Sequence, residues 1–394
     1  MNEILTFYYN SRFDGVSKRL LLNCSDDFIK YIISILIDKP LLPPKISLET
    51  WMNYLSYLDM NQLSPYFHLK VMDKDPKFHP PQRIMKKIKE QRLCFSANSM
   101  LANRQLTDLF KMFQEEKGLK ALVFKGAIFD TCLYPKPGLR PFSDIDLLIH
   151  PNDYEQFKKC MFSLGYTVTG ELANIRDIQH EETFINTTKK NQKPIDLHWR
   201  LNYYPGILKN YTVEDAFSSS VSIGDMRTFN LPDSFIHIVI HTLFTHEQDI
   251  KMIALIDSML LLDKILLTGE FSCLVNRSKD INAWFLVKKM INLLFHWGLL
   301  NLPRDLIDEY EINLETKGEK KKLKYITQRH RNPFNWLFVR FPRSFGIFKS
   351  FILLIRYSIF RYKRLILKKK LKKIDKKSTG SIKKIRENPT FNRS

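Results

Sequence analysis

Three carboxylates are the residues of this sequence whose type and spacing could do chemistry. Asp144 and Asp146 stand two apart in the run SDIDLLI (143–149), and Asp196 stands in PIDLHW (194–199). Alternation along a strand puts Asp144 and Asp146 on one face and their apolar neighbours on the other, buried face. If the two strands lie side by side, three acids meet at one place. Such a cluster suits Mg²⁺, which prefers carboxylates together with substrate phosphates, so the pattern predicts metal-dependent phosphoryl or nucleotidyl transfer.

Taken alone, the Asp144/Asp146 pair is weak evidence, because acids at this spacing also occur on solvated strand faces. Two carboxylates on one face repel each other, which raises one pKa unless a cation lies between them. Asp196 strengthens the metal hypothesis, since it is flanked by apolar residues on a predicted neighbouring strand. His198 would share the face of Asp196. Taken singly, His198 and His180 fit a structural role better than a catalytic one.

A phosphate site is a hypothesis for Lys125-Gly126, where the apolar run LKALVF ends and a short helix begins. Glycine lets the backbone approach an anion, and a helix N-terminus offers free N–H groups and a positive dipole end. An ordinary tight turn is the competing interpretation, and one Lys-Gly alone favours it. Arg140, shortly before the acid pair, could pair with a phosphate or stand exposed in a loop.

A zinc site is not predicted. His237 and His241 are four residues apart, as zinc ligands often are, but neither an H-E-x-x-H motif nor a C-x-x-C pair accompanies them. Satisfied core histidines and contacts to a substrate both stay open for this pair. The five cysteines are scattered singly, which supports no disulfide framework and favours a reducing, cytoplasmic compartment.

The elements that must position these residues follow from the apolar period. Residues 80–118 lie between Pro80-Pro81 and Gly118 and predict one long helix. Its apolar stripe comprises Ile84, Ile88, Leu93, Leu101, Leu106, Leu109 and Phe110. Strand-like and helix-like runs then alternate and end in a hairpin over 180–201. The order α-β-α-β-α-β-β-β predicts an α+β fold with a small mixed sheet.

Helical patterns flank this region on both sides, with 234–248 and 251–269 as the clearest that follow it. Four segments are therefore predicted. They are a helical N-terminal region (1–80), an α+β core (81–230), a helical C-terminal domain (231–344) and a basic, aromatic-rich tail (345–394).

The net charge of +21 is unevenly distributed. Residues 361–394 hold 14 Lys/Arg against 2 Asp/Glu, a net of +12, which leaves +9 for the other 360 residues. Nucleic acid is therefore not favoured as a partner. The tail mixes aromatic and basic residues, which suits a helix on an anionic membrane surface, and a packed final helix with a disordered end is equally open. Neither a signal peptide nor a membrane span is predicted, so we expect a cytoplasmic protein, with peripheral contact at the inner membrane surface as an option.

Residues 82–260 resemble the uncharacterised nucleotidyltransferase family of the DNA polymerase β superfamily. The resemblance is carried, in order, by ALVFKGAIFDTCLYPKPGLRPFSDIDLLI (121–149), the HEETF run from His180, IDLHWRL (195–201) and HIVIHTLFTHEQDIKMIALIDSMLLL (237–262). It implies a polymerase-β-like mixed sheet flanked by helical regions. The ordered set of motifs is more specific than any single one of them.

The resemblance also implies residue roles. Asp144 and Asp146 correspond to the paired ligands of Mg²⁺, for which Mn²⁺ could substitute, and Asp196 corresponds to the third ligand. Lys125-Gly126 takes the place of the superfamily's Gly-Ser phosphate turn, with Ala127 where the serine stands. Phosphate binding would then rest on backbone N–H groups and on Lys125 or Arg140. We assign Lys125, Gly126, Arg140 and His198 to nucleotide binding.

The first hypothesis is therefore transfer of a nucleoside monophosphate from a nucleoside triphosphate to an acceptor hydroxyl. Asp144 and Asp146 would bridge two ions about 3.5–4 Å apart. Asp196 would complete the second ion's site and could take the acceptor's proton. A small-molecule, sugar or lipid-linked acceptor is favoured over nucleic acid, because the basic charge lies in the tail.

Two other functions stay open. A D-x-D glycosyltransferase would use a sugar nucleotide and Mn²⁺, but it needs a nucleotide-binding α/β half before the acid pair, and the preceding 118 residues read as helical. A non-catalytic binding or antitoxin-like module would keep the fold without turnover. The missing serine favours that module slightly, and the three acids count against it.

Overall fold

The computed structural model describes residues 25–115, 119–169, 180–189, 191–201, 210–245, 250–320 and 323. Three short helices begin this part of the chain. Helices α1 (Asp26–Leu36), α2 (Leu48–Met60) and α3 (Ser64–Met72) pack through aromatic side chains, including Phe28 against Trp51. Serines cap the first two helices by accepting from backbone N–H groups. The predictions made for the tail and for residues 1–24 lie outside the described residues.

The long helix predicted between Pro81 and Gly118 is confirmed as α4 (Gln82–Glu115). Most of its predicted stripe is buried: Ile84, Ile88, Leu106, Leu109 and Phe110. The prediction was wrong for Leu93 and Leu101, which are 61% and 49% exposed. At 100° per residue, Leu93 lies half a turn away from Ile84, so it faces solvent. Small and polar side chains complete the buried face, among them Ser99 and Gln105.

The predicted order of strands and helices after α4 is confirmed. The elements are β1 (Ala121–Phe124), α5 (Gly126–Cys132), β2 (Ile145–Ile149), α6 (Tyr154–Ser163), β3 (Tyr166–Val168), β4 (Glu181–Asn186) and β5 (Ile195–His198). They form a five-stranded sheet in the order β1-β2-β5-β4-β3. Only β2 and β5 run parallel among these pairs, and the other three pairs are antiparallel. The fold is therefore α+β with a mixed sheet.

Both faces of strand β2 are covered. All five residues of β2 are buried, Asp146 included, because α5 packs on this part of the sheet and the later helices share its core. The simple expectation of one buried and one open face thus fails for this strand. Parallel neighbours commonly lie between two covering layers.

The rest of the described chain is mainly helical. It comprises α7 (Val213–Ser218), the hairpin β6 (Val221–Ile223) and β7 (Met226–Thr228), α8 (Leu231–Ile240), α9 (Met252–Leu267), α10 (Phe271–Asp280), α11 (Trp284–His296) and α12 (Arg304–Glu309). Helix α8 continues into a π-helical turn at His241–Thr245. A single cluster of buried hydrophobic residues extends from Phe28 to Ile312, so these helices share a core with the sheet. The segment limits at 80 and 230 stay predictions.

No described helix is both long enough and apolar enough to cross a bilayer.

Candidate active site

Two of the three acids occupy paired positions on the parallel strands. Asp146 of β2 lies opposite Asp196 of β5, and directly paired residues point to the same side of a sheet. Asp144 comes one residue before β2 begins and is half-buried, as is Asp196, whereas Asp146 is 6% exposed. The predicted side-by-side arrangement of the two acid strands is therefore present.

The loops that lead into the two acid strands are tied together. Lys193 donates from Nζ to the carbonyl of Phe142 at 3.0 Å, which links the segment before β5 to the segment before β2. Gln105 of α4 in turn accepts from the backbone N–H of Lys193 at 2.8 Å and donates to its carbonyl at 2.9 Å. The long helix thus fixes where β5 starts, and hence the register of Asp196.

Asp146 is held by two cationic or potentially cationic side chains. Its Oδ1 accepts from Nζ of Lys125 at 2.8 Å and lies 2.9 Å from Nε2 of His198. Burial alone would raise the pKa of Asp146, but the charge of Lys125 and the hydrogen bond from His198 outweigh it, so the pKa lies well below its usual range. Asp146 is therefore ionised throughout the physiological pH range.

The other two acids carry raised pKa values. Burial, followed by the charge of Asp146, raises the pKa of Asp144. Burial also raises the pKa of Asp196, to about 6, and the charges of Asp146 and Glu181 raise it further. Thr183 donates a hydrogen bond to Asp196 at 2.6 Å, which acts in the opposite direction and lowers the pKa. Three carboxylates thus crowd negative charge into one region. A divalent cation with oxygen ligands fits this donor set, because it would relieve that repulsion.

Lys125 reaches Asp146 from an unusual backbone conformation. Its φ is +57°, in the left-handed region, and it stands at the N-cap of α5 directly after β1. Its side chain is 13% exposed, and its ammonium group lies 5.0 Å from the centre of the Phe124 ring. Burial would lower the pKa of Lys125, but the charge of Asp146 raises it above its ordinary value. The buried cation is therefore retained at the acid face.

Gly126 is required by packing. A Cβ at this position would lie 2.5 Å from Nη1 of Arg140 and 2.7 Å from Cβ of Phe142. These contacts explain why residue 126 is a glycine. The sequence interpretation considered only the approach of the backbone to an anion. Binding of a phosphate at this turn stays a prediction.

Arg140 is held by a buried acid from the C-terminal helices. Its Nη2 donates to Oδ2 of Asp257 at 2.8 Å, and its Nε donates to the same oxygen at 3.2 Å. Tyr134 donates to Oδ1 of Asp257 at 2.8 Å. The side chains of Arg140 and Asp257 are 11% and 0% exposed. The guanidinium is therefore not exposed in a loop, and its ion-pair partner is Asp257.

Asp130 organises the loop that carries Arg140. It is fully buried on α5 and accepts from the backbone N–H groups of Gly138 and Arg140, each at about 2.9 Å, and from Ser99. Gly138 has a φ of +85°, and a Cβ there would lie 2.5 Å from Cα of Ser96. The turn-rich segment before β2 is thus packed directly on α4.

A second polar group adjoins Asp146 on the β4–β5 hairpin. Glu181 lies opposite His198, and its Oε2 is 3.2 Å from Nδ1 of His198 and 3.1 Å from Nε2 of His180. Burial raises the pKa of Glu181, but the charge of His198 and the hydrogen bond from His180 bring it down to about 2. Burial lowers the pKa of His180 to about 4.

Sequence reasoning missed Glu181 and Thr183 as neighbours of the acids. Their alternation in HEETF would have put both on one strand face, but the hairpin register that sets them against His198 and Asp196 depends on the turn. Asp130 gave no local signal that separates it from other helical acids, and the sequence around Asp257 did not indicate its contact with Arg140.

His237 and His241 do stack, with ring centroids 6.4 Å apart. His237 is 7% exposed, and neither of its ring nitrogens has a hydrogen-bond partner in the described structure. Its ring packs edge-on against Phe124 at 4.9 Å. Burial, followed by the charge of Lys125, lowers its pKa well below the usual range. His246, which follows in sequence, lies outside the described residues.

The family comparison agrees with the resemblance inferred from the motifs. A family described as uncharacterised nucleotidyltransferase matches residues 47–297. The solution structure of the antibiotic-resistance factor ANT(2'')-Ia is similar at 12% sequence identity and a TM-score of 0.31, covering 45% of this chain and 98% of that chain. No curated protein sequence matches the chain. Since the family match covers more than half of its residues, the chain belongs to the uncharacterised nucleotidyltransferase family.

Proposed function

We propose that this nucleotidyltransferase moves a nucleoside monophosphate from a nucleoside triphosphate to a hydroxyl group, using Mg²⁺ held by Asp144, Asp146 and Asp196. The pairing of Asp146 with Asp196 on adjacent parallel strands, with Asp144 two residues earlier, is the observation that carries this proposal. When bound there, Mg²⁺ supplies charge neutralisation at the transferring phosphate and lowers the pKa of the acceptor hydroxyl. Mn²⁺ binds to the same type of carboxylate site.

Asp196 is our candidate for the general base. Its carboxylate is half-buried, and its pKa of about 6 is close to the pH at which a base can both be ionised and accept a proton. In the proposed reaction the acceptor oxygen bonds to the α-phosphorus, the bond from that phosphorus to pyrophosphate breaks, and the acceptor proton goes to Asp196.

Lys125 is our candidate for stabilising the phosphates. Its ammonium is the cation in direct contact with Asp146, so it lies beside the region where the triphosphate would bind. Arg140 is engaged by Asp257, which favours a positioning role for it over the direct phosphate contact considered from the sequence. His198 acts in this proposal by holding Asp146.

The acceptor we propose is a small molecule, or a sugar or lipid-linked hydroxyl. The basic charge that nucleic acid would need is concentrated in residues 361–394 and not beside the acids. A D-x-D glycosyltransferase is disfavoured, because the described residues before β1 form helices and no α/β nucleotide-binding half.

Calorimetric titration with each of the four ribonucleoside triphosphates, with Mg²⁺ and with EDTA, tests the proposal. We expect metal-dependent binding of one nucleotide by the wild type. An Asp144→Asn/Asp196→Asn variant should lose that binding while it keeps the Lys125–Asp146 ion pair and the fold. Asp108→Asn is the matched control, since Asp108 is exposed on α4 and should bind as the wild type does.

Two results would contradict the proposal. Failure of every nucleotide to bind would favour a non-catalytic binding module. Equal binding by the wild type and the double variant would show that Asp144 and Asp196 do not take part in nucleotide binding. Single-turnover assays on Asp144→Asn then check the chemical step, which should be abolished with the far-ultraviolet circular dichroism unchanged.

A further inference from the structure

Metal-binding atoms converge outside the acid trio, where β4 begins and β5 ends. His180, Glu181 and His198 each contribute one potential ligand atom, and these atoms all lie within 4.8 Å of one another. In the described part of the chain, no other group of three His, Cys, Asp or Glu side chains does so. The antiparallel pairing of Glu181 with His198 assembles the group.

We propose that Nε2 of His180, a carboxylate oxygen of Glu181 and Nδ1 of His198 bind a zinc ion, with a fourth position open to water or another ligand. Oε2 of Glu181 lies 3.1 Å from the first nitrogen and 3.2 Å from the second. A tetrahedral zinc site with metal–ligand distances of about 2.0–2.1 Å separates its ligand atoms by about 3.3 Å. These two separations therefore fit such a site.

The donor types select the class of metal. Two imidazoles and one carboxylate suit zinc and neighbouring transition metals, whereas Mg²⁺ takes oxygen ligands. Three protein ligands with an open position are the arrangement of catalytic rather than structural zinc sites. This group therefore differs in chemistry from the all-carboxylate trio.

His198 is already oriented as a metal ligand. Its Nε2 lies 2.9 Å from Oδ1 of Asp146, which acts as the acceptor when that nitrogen carries the proton. In the neutral tautomer with its proton on Nε2, the lone pair of Nδ1 would face Glu181. A carboxylate behind the second nitrogen of a metal-bound histidine fixes the ring and raises its basicity.

Burial and access are also suitable. The side chains of His180 and His198 are 10% and 4% exposed, so their rings are restrained before any ion binds. The side chain of Glu181 is 34% exposed and leaves a route for the ion from solvent.

Zinc binding here does not depend on nucleotidyl transfer. Among the described residues, the zinc group contacts the acid trio through the His198–Asp146 hydrogen bond.

The test is zinc titration of the full-length, metal-free protein against a chromogenic chelator, with Co²⁺ absorption to report tetrahedral coordination. We expect the wild type to bind one more zinc ion per chain than Glu181→Gln or His180→Gln. Asp146→Asn should weaken that site by about 10–100-fold. His150→Gln and Glu214→Gln are the controls, because His150 and Glu214 form an exposed pair at the same 3.1 Å separation and should leave zinc affinity unchanged.

Equal zinc stoichiometry and affinity in the wild type and Glu181→Gln would overturn the proposal, and so would the absence of tetrahedral Co²⁺ bands in the wild type. If His180→Gln does not fold, the Glu181→Gln variant alone decides the test, because Glu181 is partly exposed and its substitution should leave the fold intact. The Asp144→Asn/Asp196→Asn variant separates the two proposals. It should keep the zinc site while losing Mg²⁺-dependent nucleotide binding.

Discussion

Asp257 and Arg140 form a buried ion pair that joins helix α9 to the loop leading into the acid strand. The contact is made through Nε and Nη2 of the guanidinium, at 3.2 and 2.8 Å from one carboxylate oxygen. Tyr134 occupies the other oxygen. The position of Asp144 and Asp146 therefore depends on a residue from the C-terminal helices.

Removing the acid of this pair should be costly. Asp257→Asn leaves the guanidinium of Arg140 buried without a counter-charge, and such losses destabilise proteins by about 3–5 kcal/mol. We expect a corresponding fall in the free energy of unfolding, measured in urea, with an unchanged slope. Asp263→Asn on the same helix is the control, since Asp263 is exposed and should change stability by less than about 0.5 kcal/mol. Equal stability of the two variants would show that the ion pair is dispensable.

The second prediction concerns Gly126. In Gly126→Ala the new methyl group would lie 2.5 Å from Arg140 and 2.7 Å from Phe142, so the loop before β2 must move. Overpacking of this kind typically costs about 1–3 kcal/mol. Gly318→Ala is the matched control, because its new Cβ would have no neighbour closer than 3.8 Å. Thermal unfolding of both variants checks the prediction, and a Gly126→Ala protein as stable as Gly318→Ala would contradict it.

The third prediction is a pH dependence. Asp196 must be ionised to accept a proton, so the proposed transfer rate should rise with pH and level off, with a midpoint at or below about pH 6 because bound Mg²⁺ also favours the carboxylate form. Thr183 donates a hydrogen bond to Asp196 and stabilises its charged form. Thr183→Val should therefore raise the pKa of Asp196 and move the midpoint of the kcat/KM profile to higher pH. A midpoint that stays in place, or moves to lower pH, would exclude Asp196 as the base.

The order of strands and the meeting of the two acid strands were predictable from the sequence. Each acid stands in a short apolar run with period-two alternation, and such a run predicts a buried strand from the local sequence alone. Asp146 and Asp196 could thus be expected to face the same way once their strands were adjacent. The long helix α4 was predictable for the same reason, although two of its exposed leucines were assigned to the buried stripe.

The contacts of the acids were not predictable in the same way. Lys125 reaches Asp146 because its φ is positive, a conformation that no lysine signals in sequence. Glu181 meets His198 through a hairpin register, and Asp257 meets Arg140 across 117 residues of chain. Periodicity indicates which side a residue faces, but it contains no information about such long-range partners.

The last prediction concerns His237, whose two ring nitrogens are buried without hydrogen-bond partners in the described structure. An unsatisfied buried polar group costs about 1–3 kcal/mol, so His237→Leu, of similar volume, should unfold at a higher urea concentration than the wild type. His68→Leu is the matched comparison, because His68 is also buried but has Nη1 of Arg92 at 3.1 Å from its Nδ1. That variant should lose stability. If His237→Leu is stabilised but loses nucleotide binding or transfer, the ring contacts a substrate, and if it is stabilised with activity intact, the histidine belongs to the core. A loss of stability equal to that of His68→Leu would contradict the prediction and would mean that His237 has a partner in the folded protein.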